Sequence, residues 1–493
     1  MKDKHKMKPT PSRPHVLLFP FPVQSHASVM LKLAELLCLA DLDVTFLNSD
    51  HIQSRLLRSS DVESRFGRYP GFRFTTITDG LPEDHPRRGY GAQELFRSMK
   101  AATRPVFGEM LLSGRLRSAS GTPVMCVIAD GLLTFAVDFA KEIGVRCFLF
   151  RTTSAACFWA NLCIPKLIEA GELPFKGNDL DKPVKNVPGM EKFLRRGDLP
   201  SYCRSVDAAE TTLQFIANES QQNARADALI FNTFEELESP ILTHIRNHGS
   251  FPELYAIGPL HVHLKSRLVA ANANVLVSRN NGILREDRSC MGWLNDQPPK
   301  SVVFVSFGGL VVITREQVME LWYGLVNSGV SFLWVLRPDS VAEQDGSDRI
   351  PAELAEATNQ RGYLVAWAPQ EEVLAHLAIG CFLSHGGWNS TLEAVAAGIP
   401  MICWPCFADQ TLNSRFVGRV WRNGVDVKDA CDRAVVERAV RDLMDPERDG
   451  GEFRDSAERM AKLAGTSSGF GGLSYRHLER LILDIKNMAA HQN

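Results

Sequence analysis

From residue 15 onward, short unbroken apolar runs alternate with longer segments of helical period. HVLLFPFP reads as a buried strand, a polar loop follows, and SVMLKLAELLCLA repeats its apolar positions at three- and four-residue spacing. DVTFLN and FRFTTI are further strands. VMCVIAD leads into the helical FAVDFAKEIG, and RCFLFRT is the next strand. Runs of Val, Ile, Leu and Phe without polar alternation predict strands buried on both faces, hence a parallel sheet covered by helices.

The pattern breaks after ELYAIGPL. The stretch HVHLKSRLVAANANVLVSRNNGILREDRS has little regular apolar period and reads as a linker. Alternation then resumes with the strands SVVFVSFGG, SFLWVLR, YLVAW, CFLSHGG and GIPMICWP, separated by helices such as TREQVMELWYGLVNSG and STLEAVAAG. The expected fold is α/β, two facing doubly wound, Rossmann-like domains with a ligand cleft between them. On this pattern residues 15–257 are the amino-terminal domain, 258–290 the linker and 291–470 the second domain. Residues 471–493 are a helical tail expected to pack back on the amino-terminal domain.

A chain of 493 residues is long enough for two domains of roughly 200 to 250 residues each. Its net charge of −2 gives no long-range pull on nucleic acid or anionic lipid, so phosphate binding must come from a local site. Eleven cysteines are scattered without the dense spacing of a disulfide scaffold, which points to a reducing, cytoplasmic location. The CxxC at Cys403-Trp404-Pro405-Cys406 follows an apolar strand and has no second pair, so zinc and redox readings fail on context. The opening MKDKHKMKPTPSRP lacks an apolar core and reads as a disordered lead-in, and no run of about 18 apolar residues is present to span a membrane. A monomer is expected.

The richest chemistry lies in SHGGWNSTLEAVAAG, a strand, a glycine turn and a helix start. Gly386 and Gly387 let backbone amides close on a ligand, and the helix start offers free N–H groups and a positive dipole end, a site for diphosphate. His385, Asn389 and Ser390 can add side-chain donors. A capping box competes for the same atoms, with Ser390 as N-cap and Glu393 three residues on. Trp367, ahead of Ala368-Pro369-Gln370, can stack on a flat base or fill a core. Asp409-Gln410 can hydrogen-bond vicinal hydroxyls or form an ordinary solvated loop.

His26 follows the first strand, at the sheet end where open α/β folds put their chemistry. Asp130 ends VMCVIAD, two or three strands along on this reading. A carboxylate on one imidazole nitrogen fixes the tautomer and steadies the imidazolium as the other nitrogen takes a proton, so this pair can deprotonate a hydroxyl. Asp130 is equally suited to cap a helix starting near Leu132. Rival motifs fail on context. The D-x-D strings at Asp41–Asp43 and Asp179–Asp181 sit before a strand and in a loop, Gly465–Gly469 follows a helix instead of a strand, and there is no Walker A or G-x-G-x-x-G motif.

The segment from Trp367 to Gln410, WAPQEEVLAHLAIGCFLSHGGWNSTLEAVAAGIPMICWPCFADQ, resembles the signature of plant secondary-product UDP-sugar glycosyltransferases, the family 1 enzymes of GT-B fold. The likeness extends from His15 onward and implies that residues 15–257 are the acceptor-binding domain and 291–470 the UDP-sugar-binding domain. It implies that Trp367 stacks on uracil, that Gln370 and Glu393 hold ribose, and that His385, Asn389 and Ser390 hold the phosphates. Asp409 and Gln410 would hold the sugar, with Gln410 pointing to glucose. Ala368, Gly387 and Trp388 complete the donor set, and Thr152 reaches the sugar by looser analogy. His26 and Asp130 become the catalytic pair of an inverting displacement that uses UDP-glucose as co-substrate, with no metal or other cofactor expected.

Two departures stand out. HGGWNS replaces the commoner HCGWNS. Gly308-Gly309 replaces the family's Gly-Ser or Gly-Thr, removing a hydroxyl used on the β-phosphate and leaving the backbone N–H of Gly309. That loss keeps open a nucleotide-sugar-binding protein without transferase activity, or a transferase using another UDP-sugar. The acceptor is expected against Phe21, Phe158 and Trp159, with Phe407 closing from the other domain. FRFTTITDGLPEDHPR, FLRRGDLPSYCR and the stretch before TREQVMELW are similar to iridoid glucosyltransferases of the 7-deoxyloganetic acid type. This implies a small terpenoid or phenolic acceptor bearing a hydroxyl or carboxyl.

Overall fold

The computed structural model describes residues 13–87, 91–205, 207–271, 282–341, 352–428, 432–448 and 450–490; nearly all of the lead-in lies outside them. The amino-terminal sheet comprises β1 (His15–Phe19), β2 (Asp43–Ser49), β3 (Phe72–Ile77), β4 (Cys126–Asp130), β5 (Arg146–Arg151), β6 (Ala228–Phe231) and β7 (Leu254–Ala256), in the order β3-β2-β1-β4-β5-β6-β7. The second sheet comprises β8 (Val302–Ser306), β9 (Ser331–Val335), β10 (Gly362–Val365), β11 (Ile379–Ser384), β12 (Met401–Cys403) and β13 (Gly424–Asp426), in the order β10-β9-β8-β11-β12-β13. Neighbouring strands in both sheets run parallel. Every residue of β1, β4, β8 and β11 is buried, which is why these strands read as continuous apolar runs.

The strand orders explain where chemistry can collect. In each sheet the chain winds outward in one direction, returns and winds out in the other. The crevice at that reversal is the natural ligand site of an open α/β sheet. In the first sheet the reversal lies between β1 and β4, and in the second between β8 and β11. Asp130 thus ends a strand three along from β1 in the chain, as expected, but directly beside it in the sheet, with Phe19 paired to Ala129. The strands β6 (ALIF) and β13 (GVD) are too short to show a period in the sequence.

The linker reading needs correction as well. Leu260–Ala270 is a helix whose Leu260, Leu264 and Leu268 enter the same core as Val16 and Val44 of the amino-terminal sheet. Their four-residue spacing was the available signal, diluted by the histidines, lysine and arginine between them. Residues 272–281 of that stretch lie outside the described set. The tail contains the helix Leu473–Ala490, which lies on the amino-terminal domain. Leu478, Leu481 and Ile485 are buried there, Tyr255 Oη donates to Asp484 at 2.5 Å, and the Ala256 N–H donates to His477 Nδ1 at 3.0 Å.

Candidate active site

Both sheet reversals open onto one cavity of about 1860 Å³, lined from the amino-terminal side by His26, Asp130 and Thr152 and from the other by Gly309, His385 and Asp409. Single-ligand pockets run to roughly 300–1,000 Å³, so this space suits two substrates at once.

His26 is the third residue of the helix Gln24–Leu39, not a loop residue, so its backbone is held by the first helical turn. Its Nδ1 lies 2.6 Å from Asp130 Oδ2. Asp130 also accepts the Leu132 N–H on Oδ1 at 3.0 Å, so the capping and catalytic readings hold together, although the nearby helix starts only at Phe135. Thr152 Oγ1 sits against the imidazole, 3.1 Å from Nδ1 and 3.4 Å from Nε2. With Nδ1 engaged by the carboxylate, Nε2 is the nitrogen left to take a proton. The Phe21 ring lies 5.7 Å from the His26 ring and 5.1 Å from that of Phe96, forming an apolar wall beside the base.

Across the cavity, β11 ends at Ser384, and the turn His385-Gly386-Gly387 leads into the helix Trp388–Ala397. Gly386 has φ of 74° and Gly308, following β8, has φ of 67°, backbone conformations that favour glycine. The two turns bring the His385 ring against Gly308 and Gly387. Burial lowers the His385 pKa to about 4, so at neutral pH it is an uncharged imidazole that can offer one N–H. The helix is capped by the Gly387 backbone, and Ser390 falls inside its first turn, which removes the capping-box reading. Instead, Gln370 Nε2 donates to Ser390 Oγ at 2.9 Å and to Glu393 Oε2 at 2.7 Å, tying three expected donor contacts into one network and leaving the Ser390 O–H to donate. Trp367 and Ala368 line the same wall, and the Trp367 carbonyl accepts from the Asp287 N–H at 2.8 Å.

Gln410 opens the helix Gln410–Arg415. Its Oε1 accepts the N–H groups of Cys406 at 2.8 Å and Phe407 at 3.0 Å, so its carbonyl folds the turn and its amide group is left for a ligand. Asp409 Oδ2 accepts from Asn413 Nδ2 at 2.8 Å, and burial raises its pKa. Phe407, about one-third exposed, overhangs the cavity from this turn.

Two expected contacts sit elsewhere. Phe158 is fully buried, its ring 5.5 Å from Phe231 and 5.7 Å from Phe251. Trp159 stacks on His244 and donates Nε1–H to the Pro188 carbonyl at 2.8 Å. Both belong to the core behind the cavity, because the helix Ala155–Leu162 is buried on every side and an apolar run does not distinguish lining from interior. The indole of Trp388 is also withdrawn. It is buried beside Phe234 and Leu392 and donates to the Asn232 carbonyl at 2.9 Å, so only the start of its helix faces the ligand space.

Sequence reasoning missed the contacts that join the halves. Lys32 Nζ, from the helix carrying His26, lies 2.5 Å from Glu371 Oε1 and 3.8 Å from Glu393 Oε1. Asn389 Nδ2 donates to the Ser25 carbonyl at 2.9 Å, one residue from the base. Ser201 exchanges two hydrogen bonds with Ala408, at 2.8 and 3.0 Å. On the amino-terminal side, Ser25, Lys32 and Ser201 carry no motif, since each works only through a partner far away in the chain.

Two open parallel sheets with apposed reversal points, a half-buried imidazole on a buried carboxylate in one and a glycine-turned helix start on the other, define a two-domain glycosyltransferase of the nucleotide-sugar class. The profile of the family described as UDP-glucoronosyl and UDP-glucosyl transferase matches residues 275–449. Over 476 residues the chain is 54% identical to a 7-deoxyloganetic acid glucosyltransferase of Catharanthus roseus, covering 96% of this chain and 98% of that one. It is 41% identical over 477 residues to a myricetin 3-O-rhamnoside 1,2-glucosyltransferase of Crocosmia x crocosmiiflora, covering 96% of each. Among solved structures, Os79 from O. sativa in complex with UDP superposes with a TM-score of 0.77 at 28% identity, covering 95% of this chain and all of that one. The chain belongs to the family of UDP-dependent glycosyltransferases.

Among the described residues, no helix is long and apolar enough to cross a membrane.

Proposed function

We propose that the protein transfers glucose from UDP-glucose to a hydroxyl of a small iridoid or related terpenoid or phenolic acceptor, with inversion at the anomeric carbon. The observation that carries this reading is the 2.6 Å His26–Asp130 pair facing the donor turn across one cavity. The glucosyltransferase relative at 54% identity supports the donor and the acceptor class, and UDP bound to Os79 supports the nucleotide. His26 Nε2 takes the acceptor hydroxyl proton while Asp130 steadies the resulting imidazolium. The oxygen attacks the anomeric carbon from the face opposite the diphosphate, the bond from that carbon to the β-phosphate oxygen breaks, and UDP departs. Charge growing on the diphosphate meets the free N–H groups of the helix Trp388–Ala397, the His385 N–H and the Ser390 hydroxyl. Trp367 holds uracil, Gln370 and Glu393 the ribose, and Asp409 with the Gln410 amide the glucose.

The protein acts as a monomer in the cytoplasm. Supporting that compartment, none of the ten described cysteines is in a disulfide, and nine of them are buried. Incubation with UDP-glucose and 7-deoxyloganetic acid, followed by mass spectrometry, is expected to give a product one hexose heavier together with stoichiometric UDP. Transfer from UDP-galactose or UDP-xylose in preference to UDP-glucose would overturn the donor assignment.

A further inference from the structure

Arg151 is the last residue of β5, next to Thr152 and level with the end of β4. It is only 4% exposed, yet it borders the cavity, beside Leu132 and Cys157. Its Nε and Nη1 are fully buried and have no hydrogen-bond partner among the described residues. Asp130, the carboxylate whose charge acts on it most strongly, is committed to His26 on one oxygen and to the Leu132 N–H on the other. What holds the guanidinium is apolar. Its central carbon lies 4.7 Å over the Phe158 ring, and it runs so close to Gly131 that a Cβ there would come within 2.5 Å of Nη1. Gly131 therefore clears the path that lets the guanidinium reach the cavity wall.

A buried guanidinium without a counter-ion is costly to keep, and it stays charged at any physiological pH. Burial lowers its pKa and the Asp130 charge restores part of the loss, which leaves the cation in place without neutralising it. The donor diphosphate belongs at the opposite wall, on the helix start at Gly387, so it is not the missing anion. The remaining candidate is a group on the acceptor.

We propose that Arg151 is a specificity-determining residue that binds a carboxylate on the acceptor and thereby sets the reacting hydroxyl against His26. This rests on the glucosyl-transfer reading above. A planar carboxylate accepts two parallel N–H groups from a guanidinium, which fixes orientation as well as affinity. The carboxylate is bound and not glucosylated; the hydroxyl elsewhere on the same molecule is the nucleophile.

The test uses the full-length enzyme and matched acceptor pairs, 7-deoxyloganetic acid with its methyl ester and a hydroxybenzoic acid with its methyl ester. For the wild type, kcat/KM is expected to favour the acid by about tenfold or more. Arg151→Met is expected to raise KM for the acid about tenfold to a hundredfold while moving KM for the ester less than about twofold, and Arg151→Lys to recover part of the loss. UDP affinity by calorimetry should be unchanged. Equal losses on acid and ester, or no change on the acid, would overturn the proposal, as would a wild-type acid-to-ester ratio near one, a measurement that needs no variant to fold. Wild-type enzyme that glucosylates neither member of either pair overturns the acceptor reading and this proposal together, and is told apart by the failure of the unmodified enzyme.

Discussion

His26 Nδ1 and Asp130 Oδ2 meet at 2.6 Å across the reversal point of the first sheet, joining the first turn of a helix to the end of the neighbouring strand. The contact orients the ring through two regular elements. His26→Ala is expected to lower kcat for O-glucosylation by about a hundredfold to ten-thousandfold, and Asp130→Asn by a smaller but similar order. UDP affinity, read by calorimetry, should stay within about twofold for both, because the groups expected to hold uracil, ribose and phosphates touch neither side chain. Unchanged turnover in His26→Ala would remove the base from the mechanism.

Gly309 tests the departure in the phosphate turn. Unlike Gly308, whose φ is 67°, it has no left-handed backbone to protect. A Cβ at Gly309 would meet only Gln24 Oε1, at 3.1 Å, the far end of a flexible side chain. Gly309→Ser is therefore expected to leave KM for UDP-glucose unchanged or lower it, by giving the β-phosphate an extra hydroxyl. Gly308→Ser places a side chain in a strained conformation against the His385 ring, at a cost of about 1–3 kcal/mol. A large rise in KM for Gly309→Ser in steady-state kinetics would show that the turn serves another purpose.

The difference between these two glycines also shows how far sequence could reach. Positions legible in the sequence were those whose chemistry is local to a strand end: His26 after β1, Asp130 closing β4 and the turn His385-Gly386-Gly387 after β11. Apolar residues were not legible in the same way. Phe21 lines the cavity while Phe158 and Trp159 lie behind it, and all three read alike as hydrophobic positions. Least legible were charges whose partners lie hundreds of residues away. Lys32 looks like a solvated helix residue until the second domain brings Glu371 and Glu393 to it. Arg151 looks like the ragged end of a strand until its buried Nε and Nη1 are seen to lack a hydrogen-bond partner among the described residues.

Gln410 has two jobs at once, its carbonyl closing the 406–410 turn and its amide facing the ligand space. A histidine can accept at most one of the two N–H groups now bound by the carbonyl. Gln410→His should accordingly raise KM for UDP-glucose and shift the ratio of kcat/KM for UDP-glucose over UDP-galactose toward galactose. Competition between the two donors, with products separated by chromatography, reads this directly. An unaltered ratio would limit Gln410 to folding the turn.

Asp198 joins the domains away from the chemistry. Its fully buried carboxylate lies 2.6 Å from Lys428 Nζ and 3.2 Å from Arg415 Nε of the second domain, and 3.0 Å from Arg195 Nη2 of its own. Burial alone would raise its pKa, but the Arg195 hydrogen bond and the Lys428 and Arg415 charges outweigh burial and hold it below the ordinary carboxylate range. A carboxyl whose folded pKa is depressed contributes stability that is complete above its unfolded value, about 3.9, and is lost as pH falls through the folded one. Removing one partner of a buried pair costs about 3–5 kcal/mol. Lys428 keeps Asp426 at 2.8 Å, so Asp198→Asn should fall near the lower end of that range. Thermal or urea unfolding should show a gap between wild type and Asp198→Asn that is constant from about pH 7 to pH 5 and narrows toward pH 3. A gap that widens as the pH falls would mean that the cluster is stabilised by something other than the ionised Asp198.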